Sequence, residues 1–163
     1  MDKKPIATKI ELYKHRDQVK FTEGNVTIVH YELLNKETLK DINRKNALVV
    51  IPVSLMEVHG TFLPLGTDLL ESIGWGNFVV PDALKNRRSE KKYIIVLFHP
   101  VPLGTGGIRG MKGTVNINRK TFRDAILDIV DGLVYAGFRK FFIPTAHHGN
   151  THSTCIEEVV HII

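Results

Sequence analysis

The sequence predicts an α/β domain built on a mainly parallel sheet, and three observations carry that reading. "ALVVIPV" (47–53), "YIIVLF" (93–98) and "KFFIPT" (140–145) are short, continuous runs of branched and aromatic apolar residues. Runs without polar alternation are what strands covered on both faces require, and such strands belong to parallel sheets. A helix lies between the last two runs, where Phe122, Ala125, Ile126, Ile129, Val130, Leu133 and Val134 recur at the spacing of one apolar stripe. Strand and helix then alternate along the chain, as parallel strands joined by crossovers must.

The elements follow in order. "NVTIVHYELL" reads as an edge strand or an extended arm, so residues 1–30 are expected to form an N-terminal arm. "NKETLKDINRK" (35–45) reads as a short helix feeding the first central strand. Residues 69–80 read as helical, with Leu69, Leu70, Ile73 and Phe78 turned partly inward. The striped helix has Asn118 as its N-cap and Gly137 as its stop. In "NTHSTCIEEVVHII" a final helix carries His152, Cys155, Ile156, Val159, Val160 and Ile163 on one face. That face makes His152 a packed core or interface histidine. It also leads to the expectation that the covering surface belongs to another subunit, or that the chain is the N-terminal portion of something longer.

At 163 residues and 43% hydrophobic, the chain has the length and composition of one domain spanning 1–163. Its single cysteine, Cys155, excludes an intrachain disulfide framework and a CxxC metal knuckle. "MDKKPIATKIELYKHRDQVK" has no apolar run behind its charges and no window approaches a membrane span, so a soluble, cytoplasmic protein with no membrane partner is expected. The formal charge of +5 raises the question of nucleic acid, but the basic residues are scattered. Their one dense cluster, "KNRRSEKK" (85–92), has no interleaved aromatics and reads as a solvated loop. No nucleic-acid partner is expected.

Chemistry concentrates in "MEVHGTFLPLGTD" (56–68), which is neither helical nor strand-like in pattern. Open parallel sheets gather functional groups beyond the carboxyl ends of their strands, and this segment follows one predicted strand as "AHHGNTHS" follows another. Glu57 and His59 are two residues apart, so an extended chain sends both side chains to one side. Gly60 and Pro64 turn the chain, and Asp68 arrives at the next helix, as a ligand or as an N-cap. With His147 these residues make a mixed nitrogen and carboxylate set suited to zinc, manganese or iron(II). Spacing alone leaves the alternative open: a polar turn histidine beside a surface carboxylate. His147 and His148 are adjacent and point apart in extended chain, so at most one joins the set. His99, before Pro100, is expected to make a structural hydrogen bond, while His15, His30 and His161 carry no local signal.

"IPVSLMEVHGTFLPLGTD" resembles the signature of the creatininase family of metal-dependent amidohydrolases, matching at Pro52, Val53, Glu57, His59, Gly60, Leu63, Pro64, Leu65, Gly66, Thr67 and Asp68. "TAHHGN" is similar to a second family loop at His147, Gly149 and Asn150, and "PLGTGGIRGMKGTVNI" to a third at Gly113 and Thr114. The resemblance runs from about residue 30 to the end. It implies a three-layer creatininase-like fold, a mainly parallel sheet flanked by helices, with the C-terminal part of the family domain expected to be absent. It implies two divalent metal ions (zinc, manganese or iron) held by Glu57, His59, Asp68 and His147, with Asp68 bridging. The implied reaction is hydrolysis of a C–N bond in a small cyclic amide or formamide through a metal-bound hydroxide, as in creatinine amidohydrolase. His148 is the implied substrate contact, and a homo-oligomer, commonly a hexamer, the implied assembly.

Three departures bear on the substrate. Creatininase itself carries a glutamate where this chain has Gly149, and there it ligates the second metal. The family's central Glu-His pair is missing from "GTGGIRGMKGT", where Arg109 and Lys112 bring positive charge and make Arg109 a candidate contact for an anionic substrate. The family's later loop, which supplies a further carboxylate and a catalytic histidine, lies beyond Ile163, so no catalytic acid is assigned. The alternatives are a formamidopyrimidine nucleotide deformylase of flavin and deazaflavin biosynthesis, and a truncated metal-binding chain with little activity.

Overall fold

A computed structural model describes residues 18–87 and 90–163. Its sheet has five strands in the order β1-β2-β4-β3-β5: β1 (Lys20–Glu23), β2 (Val26–His30), β3 (Leu48–Val50), β4 (Tyr93–Leu97) and β5 (Lys140–Phe142). β2, β4, β3 and β5 run parallel and β1 alone is antiparallel. The helices are α1 (Lys36–Lys40), α2 (Thr67–Gly74), α3 (Val80–Lys85), α4 (Arg119–Tyr135) and α5 (Asn150–Ile162).

The three apolar runs are strands, shorter than their hydrophobic stretches. Proline supplies no N–H to a ladder, so Pro52, Pro100 and Pro144 end regular pairing early. Hydrogen bonding continues between them: Val53 N–H donates to the Pro144 carbonyl (3.1 Å) and Val101 N–H to that of Pro52 (2.8 Å). The chain thus leaves the sheet gradually, and its loops stay close to the strand ends.

Register sorts the side chains into two cores. Val29, Val49 and Val96 face α4 and α5, with Phe122, Ile126, Val130 and Leu133 of the predicted stripe packed onto them. Val26, Ile28, Val50, Ile95 and Leu97 face the other way, against Val80 and Leu84 of α3. Helices therefore cover both faces, as continuous apolar strands require.

"NVTIVHYELL" holds a correction. β2 is neither an edge strand nor part of an arm, because Val26 and Ile28 are buried on one face and Val29 on the other, and β1 pairs along its outer side. Residues 20–30 belong to the sheet, while residues 1–17 of the expected arm, His15 among them, lie outside the described residues. α1 is also shorter than residues 35–45. Asn35 caps it by accepting from Glu37 N and Thr38 N, and it stops at Lys40.

The helix expected over 69–80 extends from Thr67 to Lys85, with a π turn at Trp75–Val79 separating α2 from α3. Pro81 brings no N–H to the preceding turn and its ring crowds a carbonyl there, which the wider turn relieves. Leu69 and Ile73 are buried as expected, and Leu70 and Phe78 half-buried. In α4, Asn118 accepts from Lys120 N at the start. At the end Gly137 (φ +103°) closes the turn, with Gly137 N–H on the Val134 carbonyl and Phe138 N–H on that of Leu133.

Along α5, His152, Cys155 and Val159 are buried, but Val160 and Ile163 of the same stripe are exposed beside an apolar groove with Val130, Val134, Phe141 and Phe142. Among the described residues His99 makes a 3.6 Å contact with Glu32 and is largely exposed, too loose there for the structural hydrogen bond expected of it. Lys85 ends α3 and pairs with Glu23 and Asp82, so the basic cluster begins on a helix rather than in a loop. Among the described residues no helix is long and apolar enough to cross a membrane.

Phe138 is fully buried directly after the left-handed glycine. Phe138→Ala should cost about 3–5 kcal/mol by opening a core cavity, and Gly137→Ala about 1 kcal/mol or more through backbone strain. Urea unfolding midpoints of the two variants check both values and their order.

Candidate metal centre

Three loops meet beyond the carboxyl ends of β4, β3 and β5, and each delivers one component of the site. The loop after β3 carries Glu57 and His59 and runs into α2, where Asp68 occupies the first turn. Glu57 N–H donates to the Leu65 carbonyl (2.8 Å), which ties the two ends of this loop together and brings Asp68 back beside Glu57. Gly66, not Asp68, is the residue preceding the helix, so the Asp68 carboxylate is not used as a cap.

The loop after β4 reaches across. Ile108 N–H donates to Glu57 Oε1 (3.0 Å), and Thr114 Oγ1 accepts from Val58 N–H (3.2 Å). From the loop after β5, His147 points inward and His148 is exposed, as alternation in an extended segment demands. His147 Nδ1 lies 3.0 Å from Glu57 Oε2 and 3.3 Å from Asp68 Oδ2, and His59 Nε2 lies 2.8 Å from Asp68 Oδ1. Its other nitrogen, His59 Nδ1, is 3.0 Å from the Glu57 carbonyl.

The structure thus brings Glu57, His59, Asp68 and His147 together. It does not bring in His148, which borders a groove with Glu71, Trp75 and Ala146, nor Arg109, which lines a separate cavity of about 450 Å³ with Thr105, Asn116, Arg119 and Thr151.

The cluster fits a divalent cation on its own chemistry. Glu57, Asp68 and His147 are each more than nine-tenths buried. The ion-pair partners of both carboxylates are histidines, and the one Nδ1–H of His147 serves two carboxylate oxygens at once. A buried carboxylate pair short of donors is unfavourable, and a shared cation relieves it. Donor atoms of Glu57, His59 and Asp68 lie within 4.8 Å of one another, and nitrogen with carboxylate oxygen is a set that zinc and manganese accept.

Two further residues build the site without a signal that sequence reading could use. Ser72, fully buried on α2, donates to the Asp68 carbonyl (2.7 Å) and accepts from Ala146 N–H (3.0 Å), so it clamps the His147 loop onto the Asp68 helix. His152 lies behind His147 with ring centroids 5.2 Å apart. Burial, and secondarily the neighbouring His147, pushes its pKa down from 6.5 to about 4.

Comparisons with known proteins show the family and the fold. The creatininase family profile, described as creatinine amidohydrolase, matches residues 32–161, so the chain belongs to the creatininase family. Among curated proteins it is 26% identical over 121 residues to the 3-dehydro-scyllo-inosose hydrolase of Thermotoga maritima, covering 74% of this chain and 36% of that protein. Its fold is that of creatinine amidohydrolase (creatininase), with a TM-score of 0.66 at 18% identity over 82% of this chain and 49% of that one. A manganese creatininase matches with a TM-score of 0.66, and a Zn–Zn type creatininase mutant with 0.63. The chain spans about half the length of these structures.

Ser72→Ala should leave Ala146 N–H unpaired and destabilise the protein by about 1–3 kcal/mol, read as a lowered urea midpoint. The acid limb of stability has a definite sign. Between pH 6.5 and about 4, His152 binds a proton in the unfolded chain and not in the fold, so stability rises with pH across that window. The contribution is on the order of 3 kcal/mol at neutral pH. Urea midpoints of the metal-free protein should fall from pH 7 to pH 4.5, and less steeply in His152→Phe.

Proposed function

We propose that this chain is a metal-dependent amidohydrolase that hydrolyses a C–N bond of a small cyclic amide or formamide, in the manner of creatinine amidohydrolase. One observation carries the reading: Glu57, His59, Asp68 and His147, drawn from two loops and a helix start, converge in a buried cluster whose carboxylates, among the described residues, have histidines as their ion-pair partners.

Glu57, His59, Asp68 and His147 would hold the metal. Asp68 turns Oδ1 to His59 and Oδ2 to His147, so both of its oxygens face proposed ligand histidines and would be available to hold metal. Divalent zinc, manganese or iron there would supply a positive charge that polarises a carbonyl oxygen and acidifies a water near neutral pH. The protein's part is orientation. Ile108 N–H fixes one oxygen of Glu57, the Glu57 carbonyl fixes the ring of His59, and His59 is the most exposed of the ion-paired side chains in the cluster.

Arg109, next to Ile108, and His148, next to His147, are the proposed substrate contacts, each on a surface separate from the cluster itself. Among the described residues no carboxylate lines the cavity that holds Arg109, and its other arginine, Arg119, pairs with Glu158, so Arg109 is the cation that favours an anionic substituent and supports the second reading, a formamidopyrimidine nucleotide deformylase. A metal-binding chain with little activity is the third, supported by the half-length match. A cytoplasmic homo-oligomer, hexameric by resemblance, completes the proposal. Its support is the single buried cysteine and the exposed Val160, Ile162 and Ile163.

Elemental analysis should find about two equivalents of divalent metal per chain, falling in both His59→Ala and Asp68→Ala. Loaded protein should then open small cyclic amides or deformylate formamides, and Arg109→Ala should raise KM selectively for anionic substrates. Full metal content with no turnover in such a screen supports the third reading, and absence of metal after reconstitution overturns the proposal.

A further inference from the structure

We infer that His152 is a positioning residue for the candidate metal centre: its imidazole, locked between two loops, sets the orientation in which His147 meets Glu57 and Asp68. The consequence for metal binding rests on the function proposed above; the geometry does not.

His152 is fully buried in the first turn of α5, on a face otherwise made of Cys155 and Val159. A leucine or phenylalanine would fill such a position without polar atoms to satisfy, so an imidazole there needs a reason. Both of its nitrogens are used. Thr105 N–H donates to Nδ1 (3.4 Å), so Nδ1 carries no proton in the neutral ring, and Nε2–H donates to Thr145 Oγ1 (3.0 Å). One tautomer is thereby selected, and one ring joins the loop after β4 to the loop after β5. Those loops bring Ile108 N–H to Glu57 and His147 to both carboxylates.

The packing is equally directional. Phe122 stacks on His152 at 4.6 Å and 26°, and His147 stands perpendicular to it at 88°. A Cβ at Gly104 would come within 2.8 Å of the His152 ring, and one at Gly149 within 2.4 Å of His147 Nε2. Any side chain at either glycine would therefore displace an imidazole. His147 is boxed between the His152 ring and the bare backbone of Gly149, with Nδ1 left facing the carboxylates. Position 149, where creatininase carries a glutamate, is occupied here by the means of holding His147.

The test uses the full chain and separates positioning from plain stability. Thr145→Val removes the acceptor of the His152 proton and keeps every proposed metal ligand, and Thr145→Ser restores it. His152→Phe keeps the ring stack and removes both hydrogen bonds. In metal-free protein, long-range 1H–15N spectra should show the His147 ring nitrogens shifted in Thr145→Val and His152→Phe and returned in Thr145→Ser. Zinc affinity, measured by chelator competition, should fall about tenfold or more in the first two variants and recover in the third, with the cobalt(II) visible spectrum changing in parallel. Variants that lose only thermal stability, keeping His147 resonances and the cobalt spectrum of the parent, overturn the inference. A parent protein that binds no zinc overturns the proposed function instead, and the nitrogen spectra still decide the role of His152.

Discussion

His147 Nδ1 lies 3.0 Å from Glu57 and 3.3 Å from Asp68, and its single N–H cannot satisfy both carboxylates. Two buried carboxyl groups thus share one imidazole donor, an arrangement that a bound divalent cation would favour. Much of the surrounding structure can be understood as what makes it tolerable. Ile108 N–H takes one Glu57 oxygen, His59 takes one Asp68 oxygen, and Ser72 ties the helix of one carboxylate to the loop of the histidine.

Such a cluster needs several loops held at fixed separation, and the sheet provides this. β4, β3 and β5 are neighbours running the same way, so their outgoing loops leave from one end, side by side. Prolines at 52, 100 and 144 stop the ladders within a few residues of one another while individual hydrogen bonds continue past them. The loops therefore start from a common, well-anchored rim. Glycines then allow close approach: Gly104 against His152, and Gly149 against His147.

Much of this was legible in the residues. Continuous branched runs identified β3, β4 and β5, and the stripe from Phe122 to Val134 identified α4, because burial on both faces of a strand or one face of a helix leaves a direct mark on composition. The metal-ligand candidates were legible for a different reason. Glu57, His59 and Asp68 lie in one short segment and His147 in a loop of recognisable pattern. β2 was misread because an apolar strand near a terminus looks the same whether it is second from the edge or at it, and only pairing with β1 and β4 distinguishes the two. The π turn before Pro81 and the loose contact of His99 were likewise invisible, since both depend on local geometry rather than residue type.

By itself the sequence determined the fold class, because periodicity is a property of neighbouring residues, while the family and the candidate ligands were read from the resemblance of short motifs. Tertiary structure alone decided which polar groups meet. Ser72 faces Ala146 across 74 residues and His152 faces Thr105 across 47, and neither pairing has a local signature. The apolar stripe correctly marked His152 as a core residue, but where its two nitrogens point is set by loops folding onto it from distant parts of the chain. Burial is encoded locally, whereas the direction of a buried hydrogen bond is encoded only in the packed whole.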